Sequence, residues 1–388
     1  MAVFGAPPPP KEFGLLGGSP KFWTGSGRQA LRLLLTSLDL APGSGVALPL
    51  FADPSLAAAI VAAGHKPVFI DIDPVTLTID PRIVDAASGR FDVLLAVHLF
   101  GHLADMPALL SAAGDCAAIE DAAHAPLSCL NGRMAGNFGI ASFYSFASTK
   151  YWPAGGGGLA VTHDPHMARR LQSLVATLPH PSRLRELRNV FMQGAKSVVF
   201  SKLWYGIFGK PLRRWADDWA LLEPRLEQVG IQRSYAAVAC RQATVFAMRV
   251  ESQRANSLHL LSRLAGAEEV TLPRERVGAR YNYHLFPVLL RDRRERDAVV
   301  AGMWEKGVDT STIYCGVVDE CRRLGYTGGC PVSESVTERL ITLPNHAALN
   351  SHDIDRVADA FLASLRGWRT ARPTYPVYSF GVRKPVAP

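Results

Sequence analysis

The feature that most restricts this chain is a series of short runs too apolar to lie on a half-exposed sheet. GVALPLF starts at Gly45, DVLLAVHLFG at Asp92 and AAIEDAAHA at Ala117. Between them come helical patterns such as SLAAAIVAAGH from Ser55 and ADMPALLSAAGD from Ala104. Strands buried on both faces, alternating with helices, predict an α/β fold with a mostly parallel sheet covered on each side. KPVFIDID, ASFYSFAS and GGLAVTHD extend the strand series to Thr162, and GSGRQALRLLLTSL reads as a glycine turn opening a helix.

After Thr162 the character changes. Residues 163–265 read as helical, ending in one long stretch from Ser234 to Ala265. From Glu269 a smaller α+β unit is expected: YNYHLFPVLL as a strand, RERDAVVAGMWEKG as a helix, VDTSTIY as a strand and SHDIDRVADAFLASLRGW as a closing helix. The expected division is a proline-rich arm over 1–23 without fixed structure, a large α/β domain over 24–255 carrying a basic helical segment at 163–233, and a small α+β domain over 256–388.

With 48% hydrophobic and 20% charged residues, wholesale disorder is excluded. The best candidate for a membrane span, Val46 to Gly64, is interrupted by Pro49, Asp53 and Pro54. The start lacks the pattern of a secretory signal, and six scattered cysteines form no C-x-x-C pair, so a cytoplasmic protein without a metal site is expected. The net charge of +8 is concentrated: Arg183 to Arg214 holds eight basic residues against Glu186 alone. That segment includes VVFSKLWYGIFGK, so 196–210 suits a membrane surface, or else a solvated helical face. Charge alone, without a motif, gives no reason to expect nucleic acid.

Four features can carry chemistry. Lys150, in SFYSFASTKYWPAGGGG, follows a strand at a turn of small residues, where partial desolvation makes an amine a better nucleophile toward a carbonyl; the plain alternative is a surface lysine. Asp121 ends a strand, where open α/β sheets place ligands, and suits a cationic ring nitrogen or a helix cap. Gly25-Ser26-Gly27 opens a helix whose free N–H groups suit a phosphate. Ser145 adds a hydroxyl. G-x-G-x-x-A (Gly25, Gly27, Ala30) approaches a dinucleotide fingerprint, but that requires a preceding strand, which PKFWT does not suggest, and an acid at the next strand's end, which GVALPLF lacks. His98 and His102 are separated by LFG, which argues against a helical metal pair.

A phosphate cradle, an acid for a ring nitrogen and a lysine for a carbonyl are together what pyridoxal phosphate requires. The order of SGRQALRLLL, GHKPVFIDIDPVTLTID, VHLFGHLADM, IEDAAHA, NGRMAGNFGIASFYSFASTK, GGGGLAVT, YHLFPVLL and CPVSESVTERLITLPNH resembles the DegT-type sugar aminotransferases, a branch of the fold-type-I pyridoxal-phosphate enzymes. The resemblance covers 24–162 well and 280–365 fairly, and is poor across 163–265.

The resemblance implies that Lys150 condenses with the cofactor aldehyde, Asp121 pairs with the pyridinium nitrogen and His124 contacts the ring or its phenolic oxygen. It further implies that Gly27, Arg28, Gln29 and Ser145 bind the phosphate; Arg28 stands where the family usually has Thr, so backbone donation is expected there. Three further positions depart from the pattern. The ring-stacking aromatic falls at Asp53, so Phe51 is expected to stack or the ring to be held by its other contacts. Gln232 or Arg233 stands near the family's Asn that reaches the neighbouring subunit. Ile313 replaces the His of a His-Tyr pair that ends in Tyr314. With Asp53 and Tyr314, His284 is a candidate for substrate contact. The implied activity is amino transfer from a small-molecule amino donor, by family habit glutamate, to a keto-sugar or ketocyclitol acceptor, in a homodimer. The rival readings are altered chemistry on the same cofactor and a non-catalytic regulatory protein.

Overall fold

The computed structural model describes residues 11–199, 229–267 and 270–370. Its main sheet uses β1 (Lys21–Thr24), β2 (Gly45–Pro49), β3 (Lys66–Ile70), β4 (Val93–Val97) and β5 (Ala117–Asp121). The short β6 (Cys129–Leu130) and β7 (Arg133–Met134) intervene before β8 (Ala141–Ser145) and β9 (Gly158–Thr162) complete it. The order is β1-β9-β8-β5-β4-β2-β3. Strands β3, β2, β4, β5 and β8 run parallel, while β9 is antiparallel to both β8 and β1. Both faces are covered, as the apolar runs predict. Val46, Leu48, Val93 and Leu95 enter one core with Leu31 and Leu34, while Ala47, Leu94 and Ala96 enter another with Val84 and Leu109.

The covering helices begin where local chemistry dictates. Ser26, Asp53, Asp80, Asp105 and Asp164 each accept a first-turn N–H, opening α1 (Gly27–Ser37), α2 (Pro54–Ala62), α3 (Pro81–Ala86), α4 (Met106–Ala113) and α5 (Pro165–Ala176). All but α1 add a proline in the first turn, where its missing N–H costs nothing. Then come α6 (Arg183–Val199) and the long α7 (Arg233–Leu264). The remaining elements are β10 (Ala279–Arg280), β11 (Phe286–Leu289), α8 (Arg293–Glu305), α9 (Val317–Arg323), α10 (Pro331–Arg339), β12 (Leu340–Leu343) and α11 (Ser351–Thr370). β11 pairs antiparallel with β12, and α11 packs on α7 and α8.

Several expectations are corrected. Within the arm, Lys11–Leu16 forms a 3-10 helix whose Phe13 and Leu16 are fully buried, so apolar burial fixes the chain well before residue 24; residues 1–10 lie outside the described residues. KFWT is a strand, β1, held by pairing with β9. One of the two objections to a dinucleotide fold therefore fails, yet β1 is an antiparallel edge strand, and the required acid is still missing. VDTSTIY is not a strand: it makes one bridge, Ser311 to Thr342, and ends at Tyr314 in a left-handed conformation (φ 68°). YNYH precedes β11 as irregular chain, with Tyr283 also at positive φ (50°). Helix α7 runs unbroken through residue 255, where the sequence suggests a domain boundary.

Candidate active site

A small cavity opens at the carboxyl ends of the central strands, lined by Asp53, Leu56, Val97, His98, Leu99, Asp121, His124, Lys150 and Tyr314. Sheet topology explains the convergence. Asp121 is the last residue of β5, His98 follows β4, Asp53 caps α2 just beyond β2, and Lys150 sits in the turn after β8.

Asp121 is 8% exposed, and its Oδ1 accepts the Ala123 N–H at 2.9 Å. Burial pushes its carboxyl up to about 6, against the opposing pull of the Lys150 charge. Next to it, Glu120 is completely buried yet fully partnered: it accepts from Gly136 N (2.8 Å), Phe138 N (2.6 Å) and Gly139 N (2.7 Å) and faces His98 Nε2 at 2.9 Å. Burial alone would raise this carboxyl; the bond to His98 and the backbone donors outweigh it and hold it below the ordinary value. Since Ala104 N–H donates to His98 Nδ1 (3.2 Å), the His98 ring proton belongs on Nε2, aimed at Glu120. Neither role was legible in the sequence; the adjacent acids in IEDAAHA were the only signal.

Lys150 Nζ lies 2.9 Å from His124 Nε2. Burial, followed by the charges of Lys150 and His284, holds His124 well below the usual imidazole range, so the ring is neutral. Phe100 N–H donates to His124 Nδ1 (3.4 Å), which places the proton of the neutral ring on Nε2, facing Lys150 Nζ. His284 packs edge-on against His124 (4.5 Å between centroids), and burial takes it down to about 3. It is a neighbour of His124 and does not line the cavity. The turn carrying Lys150 is anchored by Trp152, which stacks between Phe13 (4.9 Å) and Phe246 (4.3 Å) and donates Nε1–H to Ala239 O (3.0 Å). Asn282 ties the other side, donating to His124 O (3.0 Å) and Pro126 O (2.9 Å). The sequence reading missed both anchors.

Gly27 and Ser145 meet across the start of α1. A Cβ on Gly27 would lie 2.9 Å from Ser145 Cβ, and one on Gly158 would lie 2.5 Å from the Ser26 carbonyl carbon. Only glycine lets β9 pass beneath this turn. The Gln29 N–H donates to Ser26 Oγ (3.1 Å), and its side chain accepts from Gly25 N (2.5 Å). That leaves the Gly27 and Arg28 N–H groups as first-turn donors beside the Ser145 hydroxyl, an arrangement suited to a phosphate. Loop 229–232 packs against the same turn, with Val229 O 2.1 Å from where a Gly25 Cβ would stand. In it Gln232 is buried, whereas Arg233 is exposed at the start of α7.

Phe51 is not brought to the cavity. It is fully buried between Tyr314 (5.6 Å) and Phe100 (6.0 Å). Asp53 lines the cavity while capping α2 through Ser55 N (3.0 Å). Tyr314 closes one wall, its phenol raised well above the ordinary value by burial and by the nearby Asp53 and Asp121. The cavity holds about 10 Å³, room for no more than a water, so a ring enters only when lining side chains move apart. Of the basic apolar run 196–210, residues from 200 onward lie outside the described residues; among those described, no helix is long and apolar enough to cross a membrane.

Residues 21–197 and 226–362 match the DegT/DnrJ/EryC1/StrS aminotransferase family. The chain is similar to a pleiotropic regulatory protein of Geobacillus stearothermophilus (28% identity, covering 87% of this chain and 84% of that one). It is also similar to the dTDP-4-dehydro-2,3,6-trideoxy-D-glucose 4-aminotransferase of Saccharopolyspora spinosa (29%, 87% and 82%). Among solved structures, the pyridoxal phosphate form of Streptococcus pneumoniae Spr1654 shares the fold (TM-score 0.73, 18% identity, 92% and 90% covered).

Proposed function

Because the chain belongs to the DegT/DnrJ/EryC1/StrS family of pyridoxal phosphate-dependent aminotransferases, we propose that it moves an amino group from an amino-acid donor, glutamate in the first instance, to a keto-sugar, nucleotide-linked, or to a ketocyclitol. The observation that carries this reading is the meeting of Lys150, neutral His124 and buried Asp121 in one cavity at the sheet's carboxyl edge. The relatives support the acceptor class: besides the dTDP-sugar enzyme, similar proteins are named for a UDP-linked keto-glucosamine and for scyllo-inosose compounds.

The residues present fit the cofactor. Asp121 has one carboxylate oxygen without a protein donor among the described residues, suited to a ring N–H, and a Cβ would fill the cradle at Gly27. The phosphate would be held by Gly27 and Arg28 N–H and by Ser145 Oγ. Once bound, pyridoxal phosphate supplies an aldehyde that condenses with amines and an electron-poor ring that takes up the electron pair when the donor's Cα–H breaks. Lys150 Nζ is the amine that would hold the cofactor aldehyde and, when free, the base that would carry the proton released from the donor Cα. Asp121 would keep the ring nitrogen protonated. His124, unable to hold a charge of its own, orients Nζ through the 2.9 Å contact without competing for that proton. In the second half-reaction Nζ returns the proton to the acceptor carbon, and Tyr314 and Asp53, on the cavity wall, border the acceptor. A homodimer is part of this reading.

The test is spectroscopic. Purified protein with cofactor should absorb at about 420 nm and lose that band when glutamate is added. Colour that no amino donor bleaches would defeat the transfer reading and favour the regulatory role for which the Geobacillus relative is named.

A further inference from the structure

Helix α6 lies on the protein the wrong way round. Arg185, Glu186, Asn189 and Gln193, all polar, form its half-buried face. Glu186 Oε1 accepts from Arg233 N at 2.9 Å, and Gln193 Nε2 donates to Gly155 O at 3.4 Å. At 100° per residue the opposite face carries Leu184, Leu187, Val190 and Phe191, which are 78%, 68%, 51% and 74% exposed. A surface helix of a globular protein ordinarily turns such a stripe inward. Single exposed apolar side chains need no explanation, but four on one helical face do.

We propose that this stripe docks on an anionic phospholipid surface. Charge selects that occupant. Arg188 is exposed at the edge of the stripe, and the only acid of α6, Glu186, is turned inward and occupied. Leucine and phenylalanine bordered by arginine, with no outward carboxylate, is the composition that inserts at the headgroup boundary of an anionic leaflet. A second copy of the chain is the rival occupant, and the oligomeric mass measured below tells the two apart. The proposal concerns where the protein works and stands apart from the transfer reaction.

The test uses the full chain loaded with cofactor, sedimented with vesicles of phosphatidylcholine alone or with about one-third phosphatidylglycerol. The same runs are made on the double variant Leu187→Ser/Phe191→Ser, whose changes lie on exposed positions. Near-UV circular dichroism checks its fold, and analytical ultracentrifugation gives its oligomeric mass. The expected result is binding of the parent protein to the anionic vesicles only, weakened by salt, with partitioning of the variant reduced about tenfold or more at unchanged mass. The proposal is overturned if the parent stays in the supernatant with both vesicles, or if the variant pellets equally well. A drop in the variant's oligomeric mass would also overturn it, by assigning the stripe to contact between copies.

Discussion

Lys150 and Asp121 carry the account at the level of single residues, and each makes a separate prediction. Lys150→Ala should lower turnover by about three orders of magnitude, measured as amino transfer at saturating donor, because Nζ is the group proposed to move the proton. The Asp121 prediction concerns pH. In the cofactor-free protein its carboxyl sits at about 6 against an ordinary 3.8, so the folded state binds more protons across that window. The stability contribution of Asp121 therefore falls as pH rises from 3.8 to about 6 and is constant above. A cationic ring partner reverses the preference, so cofactor affinity should climb through pH about 6, and Asp121→Asn should flatten the climb. Titration calorimetry on either side of that pH checks it; equal affinities for the parent protein would count against the pairing. His98→Ala removes one partner of a fully buried carboxylate and should cost about 2 kcal/mol in urea unfolding, Glu120 retaining its three backbone donors.

Among the elements, the start of α1 is where backbone geometry becomes chemistry. Gly27→Ala places a methyl 2.9 Å from Ser145 Cβ. It should weaken cofactor binding at least tenfold, seen by fluorescence titration, with a smaller change in melting temperature, because the cradle rather than the core is filled. Ser26→Ala removes the cap and should cost about 1 kcal/mol. The sequence made this element legible: a glycine turn and an apolar stripe announce a capped helix. It also revealed the buried strands, whose runs admit no exposed face. Short elements were not legible. KFWT and Lys11–Leu16 have too few residues to show a period, and their order comes from partners far along the chain, β9 for the first and Trp152 for Phe13. VDTSTIY misled for the opposite reason: β-branched content suggests a strand, but the left-handed turn at Tyr314 stops the pairing that would make it one.

For the molecule as a whole, the site is a product of topology. Asp53, His98, Asp121 and Lys150 are spread over nearly a hundred residues of sequence and meet only because β2, β4, β5 and β8 run parallel and end on one edge. The sequence located the acid and the lysine through motif order, but it could not show that His98 serves Glu120, that Asn282 fastens the His124 loop, or that Phe51 is sealed away from the cavity. Those facts depend on packing between segments distant in the chain. Lys150 is proposed as the amine through which this fold holds its cofactor, and borohydride reduction of the loaded protein followed by peptide mass spectrometry probes that bond. A pyridoxyl adduct is expected on the peptide containing Lys150 and on no other; an active protein that yields no adduct there, or carries it on a different lysine, would rule Lys150 out.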